Sequence, residues 1–284
     1  MSSAPSRAFH RLLVRLDGLL SHLSRVLSTP SGVDITLLTI YYTLKLVHSQ
    51  IARLQTLRLH HAVHSFTRKA SAILLPGETI LATIAPPQGT LAEIEASSRA
   101  LTAAISDFRM FTRLWGLIGI YKWGKSTYLN PPPDDFVKAA TWAQVIVNVG
   151  YQWYENVAYL ASKGVLRGER FSQRKQIWWW NLSCRFWMAH VAIEAVRLMR
   201  VRQLRIRKEE ALMEKGDFDA SAEEKAKRVE EVAAWKRSML VNAAYAPMTV
   251  HYSIEKGCLN EETIGLLGTV IGAIVFGRLW KSTA

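Results

Sequence analysis

Between Asp34 and Glu78 the chain holds no carboxylate, yet Arg53, Arg58, Arg68, Lys69 and the histidines His60, His61 and His64 fall there among apolar residues. A soluble helix pairs its cations with acids on the same face. Cations left unpaired over so long a stretch suit an anionic partner such as a phospholipid headgroup layer. The formal net charge of +13 over 284 residues points the same way, since it favours acidic surfaces.

The pattern is helical nearly throughout, and it predicts an all-α, membrane-associated bundle with amphipathic helices and one or two membrane-embedded apolar helices. Turn signals stand at Thr29-Pro30-Ser31-Gly32, Pro76-Gly77, Pro86-Pro87-Gln88-Gly89 and Asn130-Pro131-Pro132-Pro133. Residues 7–27 form the cleanest amphipathic helix. Phe9, Leu12, Leu13, Leu16, Leu19, Leu20, Leu23, Val26 and Leu27 fall within an arc of roughly 140°. Arg7, Arg11, Arg15, His22 and Arg25 lie opposite, and Val14 is the misfit.

Residues 34–52 are apolar on nearly all sides and read as a buried helix. The stretch 53–75 reads as a separate, less regular amphipathic helix, with Arg58 and Lys69 intruding on its apolar side as snorkelling stems. Residues 136–161 are long enough to cross a bilayer, although Gln144, Asn148, Gln152 and Asn156 make them polar for a lipid-facing span. Arg185 and Glu194 make 177–199 an interfacial or bundle helix. The run 201–237 is dense in both signs and belongs in water.

Near the C-terminus, 263–280 is uncharged until Arg278 and short for a full crossing, with Trp280 and Lys281 placed to anchor it. Gly268 and Gly272 form a GxxxG pair that allows close approach of helices, and self-association is expected there. The domain reading follows: a basic amphipathic extension (1–30), a helical core (31–200), a charged insert (201–237) and a C-terminal segment with an anchor helix (238–284).

Several chemistries find no footing. Nucleotide-binding glycine motifs, a GxSxG nucleophile and HExxH do not occur in workable positions, so no enzyme is expected. His60 and His64 have metal-ligand spacing, but no acid or cysteine stands near them in sequence; no metal or other cofactor is expected. Cys184 and Cys258 have no ligand or disulfide-framework spacing. The cations are spread over several segments, and the Trp-rich tracts do not form base-stacking platforms, so nucleic acid is not the expected partner. The first 28 residues resemble a mitochondrial transit peptide, which keeps a mitochondrial inner-membrane protein open as an alternative.

The element DFRMFTRLWGLIGIYKWG (107–124) resembles the central motif of the peroxisomal biogenesis factor 11 family. GVDITLLTIYYTLKLV (32–47) and FTRKASAIL (66–74) look like its early helix and basic stretch. WYENVAYLASKGVL (153–166) and WNLSCRFWMAHVAIEAVRLMR (180–200) are similar to later elements, giving a resemblance over roughly 32–280. The N-terminal extension and the charged insert depart from the pattern.

The resemblance implies a non-enzymatic protein of the peroxisomal membrane that promotes proliferation. Such proteins insert an amphipathic helix into the cytosolic leaflet, form homo-oligomers, elongate the organelle and help recruit the fission machinery. By position the inserting helix is 53–75, with Arg53, Arg58, Arg68 and Lys69 at the headgroups and Leu54, Leu59, Val63, Phe66 and Ile73 in the acyl region. Periodicity favours 7–27 instead, led by Phe9, Arg11, Leu12, Arg15 and Leu16, which we take as a second contributor. A metabolite channel lined by the amides of residues 139–161 is the other alternative.

Overall fold

In the computed structural model, residues 4–75, 77–83, 89–214 and 221–284 are described, without the side chains of 4–8. They form eight α-helices: α1 (Ala4–Leu27), α2 (Pro30–Ser71), α3 (Thr90–Thr112), α4 (Gly116–Leu129), α5 (Asp135–Ser162), α6 (Gln173–Glu214), α7 (Ala222–Ser253) and α8 (Glu261–Ser282). No strand occurs among the described residues, so the all-α expectation holds. Of the turn signals, Pro76 and Pro86-Pro87-Gln88 lie outside the described residues.

Local chemistry sets the helix starts. Thr29 accepts the Gly32 N–H through its side chain, and Pro30 occupies the first turn of α2. Asp134 caps α5 directly after the prolines, Ser221 and Glu224 form a capping box on α7, and Asn260 caps α8. That last cap, with Glu261 and Glu262 in the first turn, lengthens α8 beyond the uncharged tract seen in sequence. At 22 residues it is the one described helix long and apolar enough to cross a membrane. Its length of about 33 Å matches a hydrocarbon core of about 30 Å.

The break expected near residue 53 is absent. α2 is one helix of 42 residues. The composition changes there from apolar to basic, but no glycine or proline stands between Val33 and Leu75 to stop the backbone.

The helices pack in the order α3, α2, α8, α7, α6, α5, α4. Tyr42, Ala244, Met248, Ile264 and Ile271 form the central cluster, with Trp187, Tyr245 and Tyr252 against it. Polar ties close the bundle. Arg109 donates to Asp34 at 2.8 Å, joining α3 to α2. The turn after α3 is tied to α5 where Arg113 meets Glu155 at 3.2 Å and donates to the Tyr151 hydroxyl at 3.1 Å.

Candidate membrane-contacting surface

Among the described residues, α1 is covered by the rest of the molecule only in its last turns. Val26 is fully buried and His22 nearly so, whereas Phe9 is 62% and Leu20 64% exposed. Between them Leu12, Leu13, Leu16 and Leu19 are also exposed, and so are Arg11 and Arg15. An apolar helical face this long is left uncovered by the rest of the chain, which is the pattern of a surface that contacts something else.

The dock lies at the C-terminal end of α8. His22 Nε2 bonds the Trp280 carbonyl at 3.0 Å and the Thr283 hydroxyl at 3.1 Å, while Arg25 donates to the Thr283 carbonyl at 2.9 Å. The ring of Trp280 also packs at a tilt against Phe276. An amphipathic helix is thus fastened where a membrane-length helix ends in Trp280 and Lys281, residues suited to the bilayer interface.

α2 runs antiparallel to α8. Thr39, Tyr42 and Leu46 face Gly272, Gly268 and Gly265, and Lys45 and Arg53 pair with Glu261 and Glu262 at 3.4 and 3.0 Å. A Cβ on Gly268 would lie 2.1 Å from the Tyr42 ring, and one on Gly272 2.9 Å from Thr39 Cα. The GxxxG face therefore holds α8 to α2 of the same chain.

Beyond Arg53, α2 continues as an arm. Leu54, Val63 and Phe66 are exposed on it, Leu59 is half-buried, and Ile73, just past the helix end, is 78% exposed. Arg58, Arg68 and Lys69 are exposed and form no salt bridge among the described residues. Arg53 departs from the expectation of unpaired cations, because Glu262 is brought to it from far along the sequence.

At the other end, α6 and α7 extend past α8 as a helical hairpin. Glu230, Ala234 and Arg237 of α7 line one cleft with Arg278 near the end of α8. Trp235 donates to the Leu198 carbonyl at 2.9 Å, and Arg202 and Arg205 lie over its ring. At the base of the hairpin Arg200 pairs with Asp134 at 2.8 Å, and that bond, with the Val137 N–H, holds the Asp134 carboxyl below its ordinary range. Exposed charged residues cover both helices of the hairpin.

The amides of α5 face inward. Gln144 donates to Glu194, Asn148 bonds His190, Gln152 donates to Asn156, and Asn156 donates to the Leu114 carbonyl. Each is satisfied by a neighbour in the bundle. Burial pushes the Cys184 thiol up to about 12, leaving it inert at neutral pH.

Sequence reasoning missed the His22–Trp280 dock and the Arg113–Glu155 tie. Both join residues whose types are ordinary and whose separation leaves no local signal.

Among known proteins, the family described as Peroxisomal biogenesis factor 11 (PEX11) matches residues 79–280. α1, α2 and the start of the following loop precede the matched segment. No curated protein and no solved structure shows a significant match.

Proposed function

The chain belongs to the peroxisomal biogenesis factor 11 family, and from that premise we propose that it elongates the peroxisomal membrane by laying α1 into the leaflet at the C-terminal end of α8. Membership supports a role in peroxisome biogenesis at the membrane. The wedge is the finer part of the reading, and one observation carries it: an apolar helix without a partner is anchored at the end of the helix suited to cross the bilayer.

The physics is a difference in area. A helix sunk about 5–10 Å into one leaflet expands that leaflet alone, and the sheet curves with that leaflet on its convex side. Arg11 and Arg15 would sit at the phosphates, with Phe9, Leu12 and Leu16 among the acyl chains. We take this to be the cytosolic leaflet, the one into which the family resemblance implies that such helices insert. The charged α6–α7 hairpin lies on the same side, and we assign it to soluble partners such as the fission machinery. Summing wedges into a tubule takes many copies, joined through a face other than Gly268 and Gly272. The inward bonding of Gln144, Asn148, Gln152 and Asn156 favours membrane shaping over conduction.

The test uses Leu12→Glu, Leu16→Glu and Leu20→Glu together, at exposed positions whose change leaves the bundle intact. In cells lacking the native protein, the wild type should elongate peroxisomes. The triple variant should reach the same membrane and leave them round. Elongation equal to wild type by the variant would remove α1 from the mechanism.

A further inference from the structure

We propose that the cleft enclosed by α5, α6, α7 and α8 holds one molecule of an anionic phospholipid, its phosphate at Arg237 and Arg278 and its acyl chains against Trp187, Tyr245, Ile274 and Val275. The inference rests on α8 crossing the bilayer, as in the reading above, and is independent of where α1 lies.

The cleft follows from the packing order. α6 and α7 stand between α5 and α8 in that order, yet Gln144 of α5 and Val275 of α8 line the same space of about 610 Å³. The helices therefore curl into a trough with α6 and α7 as its floor. Its volume falls within the ~300–1,000 Å³ of small-molecule sites, room for a headgroup and the upper part of its chains. The rest of the chains run out between α5 and α8 into the surrounding hydrocarbon.

Polarity is graded along the trough. Arg237 and Arg278 lie at nearly equal distances along the chain from the α7–α8 turn, which sets both at one end. Arg278 is exposed and forms no salt bridge among the described residues. The partner of Arg237, Glu230, is 71% exposed, so that pair contributes at most about 1 kcal/mol and yields to a phosphate. One turn deeper in α8 come Ile274 and Val275, and beyond them Trp187 and Tyr245, in edge-to-face contact at 5.4 Å, border the central cluster. The amides that reach the trough are already bonded, Gln144 to Glu194 and Asn242 to the Val191 carbonyl.

That order matches a lipid better than a soluble anion. Trp280 and Lys281 set the charged end at headgroup level, and the aromatic end then points toward the bilayer centre. Guanidinium forks suit a phosphate, which they bind through paired hydrogen bonds. Glu194 and Arg197 hold each other through two bonds of 2.7 Å. Arg237 and Arg278 against Glu230 then leave a surplus cation, which favours an anionic headgroup over a zwitterionic one.

The test uses full-length protein in neutral detergent, carrying Leu12→Glu, Leu16→Glu and Leu20→Glu so that α1 binds no lipid of its own. Melting temperature is followed against phosphatidylglycerol, phosphatidylcholine and inorganic phosphate, and bound lipid is counted by native mass spectrometry. One phosphatidylglycerol per chain should stay bound and raise the melting temperature. Phosphatidylcholine should bind more weakly, and phosphate should have no effect. Arg237→Gln with Arg278→Gln should weaken retention about tenfold, as expected for losing a charge-assisted bond. Ala234→Trp, at an exposed lining position, should block the mouth and leave the melt of lipid-free protein unchanged. Stabilisation by phosphate equal to that by lipid, or retention unchanged in both variants, overturns the proposal. If no lipid is retained while the triple glutamate variant still leaves peroxisomes round, the cleft proposal falls and the α1 wedge stands.

Discussion

His22 sits against Trp280, the two ring centroids 3.8 Å apart, with the imidazole Nε2 3.0 Å from the Trp280 carbonyl. These residues are 258 positions apart, and their contact makes the amphipathic α1 a fixture of the end of α8. A free helix would find a membrane by affinity alone. A docked one is held at one end of α8, the helix long and apolar enough to cross a membrane.

Replacing His22 by alanine removes that bond and the ring contact. We expect a stability loss of about 1 kcal/mol and faster amide hydrogen exchange confined to α1. Exchange in α2 and α8 should stay slow, and general loosening of the bundle would contradict a local dock.

Gly268→Leu drives a side chain into the Tyr42 ring, where even a Cβ would come within 2.1 Å. Overpacking of this kind costs about 1–3 kcal/mol. The loss should appear as a lowered melting temperature of the single chain in detergent. If the substitution left the melt unchanged and only dissociated oligomers, the glycine face would belong to copy–copy contact.

Much of this was legible in the sequence, and the failures have physical causes. The apolar arc of residues 7–27 is complete within the helix, so periodicity found it without help from the fold. The glycines of α8 announced a close helix approach but could not name the partner, because Tyr42 and Thr39 carry no complementary motif. At residue 53 a change of composition resembled a boundary, although only a glycine, proline or cap would have ended the helix. The amides of α5 were visible as a stripe, while Glu194 and His190, which satisfy Gln144 and Asn148, sit on another helix.

Arg113 and Glu155 form a tie in which Glu155 keeps only 6% of its side-chain exposure and Arg113 keeps 28%. Arg113→Leu strands the carboxylate, and we expect a loss of about 3 kcal/mol, the low end for a buried pair, since the arginine retains some water. Adding Glu155→Leu should recover part of it. Denaturant unfolding of the single and double variants measures the coupling, and simple additivity would show the pair is not a unit.

His251 accepts the N–H groups of Cys258 and Leu259 on Nδ1, both at 2.9 Å, which ties the α7–α8 turn to a neutral ring. Burial, and then nearby Lys45, lower its pKa from the ordinary value. A lowered folded pKa means the stabilisation is complete above the unfolded value of about 6.5 and is lost as pH falls through the folded one. Thermal stability should therefore decline below about pH 6.5. His251→Asn, which keeps an acceptor without titrating, should make that decline shallower; an unchanged slope would remove His251 from the pH response.

The wedge itself is tested most directly by depth. An environment-sensitive fluorophore attached to Leu16→Cys in the Cys258→Ser background reports whether the apolar face of α1 enters lipid in reconstituted full-length protein. With vesicles containing anionic phospholipid, the account predicts blue-shifted emission, quenched by lipids labelled shallowly in the acyl chain and not by aqueous iodide. Emission of a water-exposed probe, quenched by iodide and indifferent to the lipid quencher, would contradict it.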